Sequence, residues 1–319
     1  MNKRVIVIGA GHWGKNLVKT FYELGALAGV AEASSILRDE LSRSYPNILL
    51  YQDYKECLNE SVDAFVIATP AHTHYQIAYE ALESGKDVFV EKPITLSTDE
   101  AEKLHNFAES HGRILMVGHL LLYQPVIQEM KRLLESGFIG ELKSIHQERL
   151  KLGRVRSVEN VLWSFGVHDI AVFLYLVGSE PKRSIVNGDR IIQPAIEDDV
   201  YLHLDFLNGV TAHLHTSWLW PEQRRRLVVV ATEGMMVYDE EQQTLVLHRK
   251  GIHRDLSNRD DGHEVIFKGN EQPLKLECMH FLQCVEKRTR PISDGKNGLE
   301  VVRILENASI KLGSGTTNG

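Results

Sequence analysis

A chain of 319 residues with 43% hydrophobic side chains holds apolar material for about two ordinary cores, and its formal net charge of −7 excludes a general nucleic-acid footprint, which needs a clustered basic face. Cys57, Cys278 and Cys284 are odd in number and lack CxxC spacing, so neither a disulfide framework nor a thiolate zinc site is indicated. No apolar run reaches the roughly 18 residues of a membrane span and no apolar leader precedes the first strand, so a cytoplasmic protein with no membrane partner is expected.

Residues 4–32 state a strand, a glycine turn, a helix and a second strand in one reading. Val5, Ile6, Val7 and Ile8 form a β-branched apolar run suited to a parallel strand buried on both faces. Gly9, Gly11 and Gly14 follow at G-x-G-x-x-G spacing. The first permits a tight turn, the second lets backbone approach a pyrophosphate, and the third allows close helix packing. The helix start then faces the phosphates. Leu17, Val18, Phe21 and Leu24 share one helical face, Gly25 ends the helix, and residues 27–31 make the next strand, which closes on Glu32. Glu32 sits near the roughly 20-residue offset at which a carboxylate reaches the adenosine ribose hydroxyls and repels a 2′-phosphate. NAD is therefore expected before NADP, with Arg38 as a basic group that softens the preference.

Residues 33–62 read as helix, with a short strand at 47–51 and a brief helix at 55–59. Residues 62–68 form another buried strand, stopped by Thr69-Pro70, and a helix from about His74 to Ser84 ends at Gly85. Strand and helix have by then alternated three times, the doubly wound arrangement. The strand of 87–90 delivers Glu91 and Lys92 to the carboxyl edge, where open α/β sheets bind ligands, and Pro93 forces Lys92 out of helical conformation. A helix near 99–111 and a strand at 114–117 lead to Gly118-His119.

At this point GAGHWG (9–14), TPAHTHYQIA (69–78) and GKDVFVEKP (85–93) together resemble the Gfo/Idh/MocA oxidoreductase family. The resemblance implies a Rossmann domain over 1–120, a substrate-binding and oligomerisation domain over 121–312, and NAD contacts from Gly9, Gly11, His12, Trp13, Gly14, Glu32, Thr69, Pro70, His74, Glu91 and Lys92. It also implies a catalytic Lys92 and a Lys-Pro peptide that is often cis. Residues 313–319, GSGTTNG from Gly313, read as a disordered tail.

From about 141 onward the pattern turns to strands, at 142–149, 183–186, 200–206, 210–218, 227–231, 235–238 and 245–248. Val200, Leu202, Leu204 and Phe206 alternate with polar neighbours, Asn208-Gly209 makes a hairpin turn, and Val210, Ala212 and Leu214 resume the alternation. Two late helices bury Leu274, Cys278, Phe281, Leu282 and Val285, then Val301, Ile304, Leu305 and Ala308. The expected fold class is α/β: a Rossmann domain plus an α+β domain with a large, mostly antiparallel open sheet. The resemblance implies a homodimer or homotetramer through that sheet, and Trp218 and Trp220 are expected on its exposed face. His72/His74 and His213/His215 are spaced for a shared strand face but lack a third ligand, so no metal is expected.

A helix begins near His168, since Ile170, Phe173, Leu174 and Val177 form its buried stripe, and the positive helix end keeps the imidazole neutral. The family resemblance implies that His168 is the catalytic base. It also implies an aspartate four residues earlier, where this chain has Ser164. Asp169 is read as stabilising the helix start. Tyr123, Arg154, Arg156, Trp163 and Ser164 fall in segments that line the family's sugar pocket; Arg154 and Arg156 read equally as solvated or as anion-binding, and Arg224–Arg226 as solvated or interfacial. GHLLLYQPVIQEMK and SWLWPEQRRRLVVVATEGMMVYDE resemble the branch that oxidises nucleotide-linked N-acetylated sugar acids. The expectation is NAD-dependent oxidation at C3 of a UDP-linked 2-acetamido uronic acid. The alternatives are a free-sugar or cyclitol dehydrogenase, and a non-catalytic regulator that senses NAD or a sugar.

Overall fold

The computed structural model describes residues 3–269 and 272–314. The chain divides into two units, Met1–Leu120 with Gln272–Arg303, and Leu121–Glu271 with Ile304–Gly319. The continuous second domain expected over 121–312 is thus interrupted, because residues 272–303 return to the first unit.

The first unit opens with β1 (Val5–Ile8), α1 (Gly14–Glu23), β2 (Leu27–Ala31), α2 (Ser35–Ser44), β3 (Leu49–Tyr51), β4 (Ala64–Ile67), α3 (His74–Glu83), β5 (Asp87–Val90), α4 (Thr98–Ser110) and β6 (Leu115–Val117). Its sheet is wholly parallel in the order β3-β2-β1-β4-β5-β6, so the direction of winding reverses between β1 and β4. Ligands bind open α/β sheets at that switch, beyond the carboxyl ends of the strands. All four residues of β1, β4 and β5 are buried, as the unbroken apolar runs require of strands covered on both faces.

The second unit holds α5 (Pro125–Glu135), β7 (Leu142–Leu150), α6 (Val167–Val177), β8 (Pro181–Asp189), β9 (Asp199–Phe206), β10 (Thr211–Ser217), β11 (Arg224–Ala231), β12 (Met235–Asp239), β13 (Thr244–Ile252) and β14 (Asn258–Lys268). Its eight strands run β14-β13-β12-β11-β7-β10-β9-β8, antiparallel except for β7 beside β10. The hairpin between β9 and β10 turns at Gly209, whose φ of +85° suits glycine. One sheet face buries Ile145, Leu202, Leu204, Ala212, Leu214, Leu227 and Val229. The other carries His146, Tyr201, His203, His213, His215 and Val228 around a recess of about 390 Å³. Trp218 does not belong to that open face. It continues the inward parity of Leu214 and Thr216, is fully buried, and meets Phe165 edge-on at 6.4 Å. Trp220 is half-buried, with its ring edge-on to His215. β14 escapes the sequence pattern because it is a mostly exposed edge strand, NRDDGHEVIFK, with no apolar alternation to betray it.

Two helices end the described chain. α7 (Pro273–Lys287) belongs to the first unit and buries Glu277, Cys278, Phe281, Leu282 and Val285. Phe281 packs on Phe89 of β5 with ring centroids 5.6 Å apart, a pair worth about 0.5–1.5 kcal/mol beyond its area. Arg288, just past α7, ion-pairs with buried Asp87 at the start of β5. α8 (Gly295–Ser314) contributes residues to both units. Gly313 and Ser314, read as the start of a tail, are helical; the rest of that expected tail, 315–319, lies outside the described residues. Among the described residues no helix is long and apolar enough to cross a membrane.

Candidate active site

The three glycines do three different things at the end of β1. Gly9 has φ +90°, and a Cβ there would stand 3.0 Å from the Ala68 carbonyl and from Thr69 Cγ2. A Cβ on Gly14 would come within 2.1 Å of the Gly9 carbonyl oxygen, so α1 can approach β1 only with glycine at that position. Gly11 has nothing within 4 Å of a notional Cβ, which leaves open space for a ligand against the backbone. α1 begins at Gly14, with Trp13 as an N-cap that makes no side-chain bond, and the Lys15 and Asn16 N–H groups donate to the Gly11 and Trp13 carbonyls at 3.2 and 2.9 Å. His12 and Trp13 are exposed on this turn.

A recess of about 560 Å³ runs from Gly9 and Gly11 past Glu32 to Thr69 and Pro70. Glu32 is fixed there by two backbone donors: Ala10 N–H donates to Oε2 at 2.7 Å and Ser34 N–H to Oε1 at 2.9 Å. A carboxylate oxygen accepts more than one hydrogen bond, so the pair retains capacity for ribose hydroxyls. Arg38 Nη1 donates to the carbonyls of Glu32 and Ala33, at 2.6 and 2.8 Å, which holds the guanidinium beside this recess. The backbone left open at Gly11 and the anchored Glu32 carboxylate, features that an NAD pyrophosphate and ribose require, line one recess.

The carboxyl end of β5 is built more tightly. Glu91 continues the strand, with its N–H on the Ile67 carbonyl at 2.9 Å, and its buried carboxylate accepts from Trp13 Nε1–H and from the Lys92 N–H. Burial pushes the Glu91 carboxyl up to about 7, against the opposing pull of Trp13 and Lys92. The Lys92-Pro93 peptide is cis. His74 braces this edge rather than touching a cofactor through its ring nitrogens: Nδ1 lies 2.7 Å from the Pro93 carbonyl and Nε2 2.9 Å from that of Thr69. It thereby stands between the loop after β4 and the loop after β5; burial lowers its pKa, while the two carbonyls pull the other way, since only a protonated ring donates to both. Thr69 Oγ1 further shares a hydrogen bond with Thr73 Oγ1 at 2.7 Å. His119, just beyond β6, is buried with neither ring nitrogen hydrogen-bonded among the described residues, and burial, then the Lys92 charge, depress it to about 3. Nothing in the sequence pattern marked His119; its place after a strand end was the available signal.

In the second unit α6 starts at Val167, so His168 occupies its first turn as expected and is half-exposed. The preceding residues Leu162–Gly166 form a single π-turn, a widened geometry frequent at functional positions. Ser164 is buried in that turn, and Trp163 donates its indole N–H to Ser309 Oγ at 2.8 Å. Asp169, next to His168, is not a spare carboxylate. Arg149 of β7 grips it with Nε at 2.7 Å and Nη2 at 2.8 Å, and Nη2 also reaches Glu240 at 2.9 Å, which Arg225 meets in turn. This buried network fixes the start of α6 and was not legible in the sequence, since its members lie far apart along the chain. Tyr123 is buried, whereas Arg154 is exposed and Arg156 lies 3.8 Å from Glu159.

Residues 3–119 match the description "Oxidoreductase family, NAD-binding Rossmann fold", and residues 127–237 match the Gfo/Idh/MocA C-terminal domain. The chain belongs to the Gfo/Idh/MocA family. It is an NAD-binding oxidoreductase. Among its relatives, UDP-N-acetylglucosamine 3-dehydrogenase of Acidithiobacillus ferrooxidans is 27% identical over 95% of each chain, and a solved structure of it superposes with a TM-score of 0.87 over 98% of this chain and 99% of that one. The scyllo-inositol 2-dehydrogenase (NAD(+)) of Bacillus subtilis is 26% identical, covering 91% of this chain and 88% of its own. A solved chain from Magnetospirillum magnetotacticum is 31% identical with a TM-score of 0.83, covering 96% and 99%.

Proposed function

We propose that this oxidoreductase removes the hydride from C3 and the proton from the C3 hydroxyl of a UDP-linked 2-acetamido sugar, leaving a C3 ketone. The observation that carries the redox reading is the carboxyl edge of β5, where Glu91 ties the glycine turn at Trp13 to the backbone of Lys92. NAD⁺, when bound along the turn, supplies the hydride acceptor. Lys92 then donates a hydrogen bond to the substrate oxygen as it gains negative charge, and His168, held in the first turn of α6, takes the hydroxyl proton. Reduction reverses both roles. Ser164 replaces a carboxylate in the π-turn, so the proton leaves through a base without an adjacent acidic partner at that position.

The nucleotide sugar rests on the likeness to the Acidithiobacillus enzyme, which extends over nearly the whole of both chains. The uronate form and its 6-hydroxymethyl counterpart present the same C3 hydroxyl and acetamido group; they differ at C6. Nicotinamide absorbance with NAD⁺ and a panel of UDP-2-acetamido sugars, their C6 carboxylates, inositols and free sugars tests the reading. Turnover is expected with the nucleotide-linked members. Turnover confined to inositols would establish the cyclitol alternative, and tight NAD⁺ binding without any turnover the regulator.

The assembly we propose is two or four copies meeting through the open face of the second unit's sheet, whose aromatic and apolar members Tyr201, Val228 and the ring stack His146–His213 would otherwise stay wet. Light scattering at micromolar concentration checks it, and a monomeric mass refutes it.

A further inference from the structure

Glu277 on α7 is fully buried, and neither of its carboxylate oxygens has a hydrogen-bond partner among the described residues. Its place in the fold is fixed by its neighbours. Phe281, one helical turn later on the same face, packs on Phe89, and Phe89 stands two residues before Glu91 on the same side of β5. That register sets Glu277 against Glu91. On the opposite flank the chain leaves room for Glu91 with a glycine, since a Cβ on Gly118 would fall 2.9 Å from Glu91 Oε2 and 3.1 Å from Oε1. Two bare carboxylates in so dry a place repel each other, and one must keep a proton.

We propose that Glu277 is a positioning residue that holds its proton and donates it in a hydrogen bond to the Glu91 carboxylate, fixing the orientation in which Glu91 joins the Trp13 turn to the Lys92 backbone. The inference rests on the reading of this edge as the nicotinamide end of an NAD site. The other titratable groups near the pair are Lys92, which stabilises a charged Glu91; His119, kept neutral by burial and by Lys92; and Cys278, whose thiol is pushed up by burial and then by Glu277 and Glu91. Burial raises both carboxyls, and Glu91 raises that of Glu277 further. Glu277 is thus the member that stays protonated when Glu91 ionises.

Trp13 reports the state of Glu91 without any substrate, through the indole N–H that Glu91 accepts. Tryptophan fluorescence of the full chain is followed against pH in the wild type, Glu277→Gln, Glu277→Leu and Trp13→Phe. A near-neutral transition is expected in the wild type and its loss in Trp13→Phe. Glu277→Gln, whose amide replaces the donor, should keep the transition within about half a pH unit, and Glu277→Leu should raise it by about one unit or more, because the ionised Glu91 has lost its donor. Above the transition, NAD⁺ affinity should stay within about threefold in Glu277→Gln and fall about tenfold in Glu277→Leu. A wild type without the transition, its persistence in Trp13→Phe, a fall of a unit or more in Glu277→Gln, or an unmoved transition in Glu277→Leu would each overturn the proposal. If the leucine variant does not fold, the glutamine titration decides alone, since a charged Glu277 requires the fall and a protonated one forbids it. These readouts need no sugar, so failure of the substrate assignment leaves them intact.

Discussion

Replacing Glu32 with alanine tests the cofactor assignment at its most specific point. The side chain offers a carboxylate to the ribose while being itself held by the N–H groups of Ala10 and Ser34 at 2.7 and 2.9 Å. A hydrogen bond to a charged acceptor contributes about 1.5–3 kcal/mol, so its loss should weaken NAD⁺ binding by about ten- to 150-fold. The same change removes the charge that repels a 2′-phosphate, so NADP⁺ affinity should fall less or rise, and discrimination should narrow. Alanine also strips an acceptor from the buried Ala10 N–H, which costs about 1–3 kcal/mol of stability. Glu32→Gln discards the charge while keeping one acceptor oxygen for the Ala10 or the Ser34 N–H, so it should lose less stability than alanine while still narrowing discrimination. Calorimetric titration of both dinucleotides into all three proteins, with thermal melts alongside, resolves the two effects. Tighter binding of NADP⁺ than NAD⁺ by the unaltered chain, or unchanged affinities in the alanine variant, would refute the reasoning.

Lys92→Met and His168→Ala should each abolish most turnover while leaving NAD⁺ affinity nearly intact, and the double variant should be little slower than the worse single one; kcat and cofactor Kd measured together check this. Gly11→Ala should melt like the wild type, since its Cβ meets nothing within 4 Å, yet bind NAD⁺ poorly in a titration, whereas Gly14→Ala should lose stability as well because its Cβ collides with the Gly9 carbonyl. Asp169→Asn removes one of the two carboxylate charges that Arg149 meets and turns an NH2 donor toward the guanidinium, and urea unfolding should show a loss on the order of 3 kcal/mol.

The parts of this protein that sequence conveys are those written in local periodicity. The run at Val5–Ile8, the glycine spacing and the carboxylate at Glu32 specify a strand, a turn and an acceptor within some thirty residues, and each is found where the local physics puts it. Strand alternation at Val200–Phe206 likewise announces its inward face. Long-range packing is what stays hidden. Trp218 reads as a surface aromatic until the parity of β10 is followed past the strand end into the core, and the return of α7 to the first unit has no local marker. Arg149, Asp169 and Glu240 are each ordinary in sequence; only the sheet brings them together. Glu277 is the sharpest case, because a lone acid on an apolar helical stripe reads as the edge of a solvated face, and it becomes informative only when Phe281 is seen against Phe89.

The burial of acids and imidazoles on one strand edge also dictates how stability must follow pH. Glu91 has its carboxyl raised by burial from 4.5 to about 7, so between those values the folded chain holds a proton that the unfolded chain releases. Its contribution to stability is therefore fully present below about 4.5 and is lost as pH climbs through 7. His119, depressed by burial to about 3, acts in the other direction: from 6.5 downward the unfolded chain takes up a proton that the folded chain refuses, so stability rises with pH over that interval. In the wild type the two slopes oppose each other from about 4.5 to 6.5, and a single pH series would show little. Glu91→Gln removes the first and keeps the second. The stability difference, wild type minus variant, should then fall by about 3 kcal/mol between roughly pH 4.5 and 7.5, since one proton held by the folded chain alone changes stability by about 1.4 kcal/mol for every pH unit crossed. Chemical unfolding of both proteins at half-unit steps measures that difference, and one that stays flat, or that rises with pH, would mean that Glu91 is ionised in the folded chain throughout and that the β5 edge is wetter than its geometry shows.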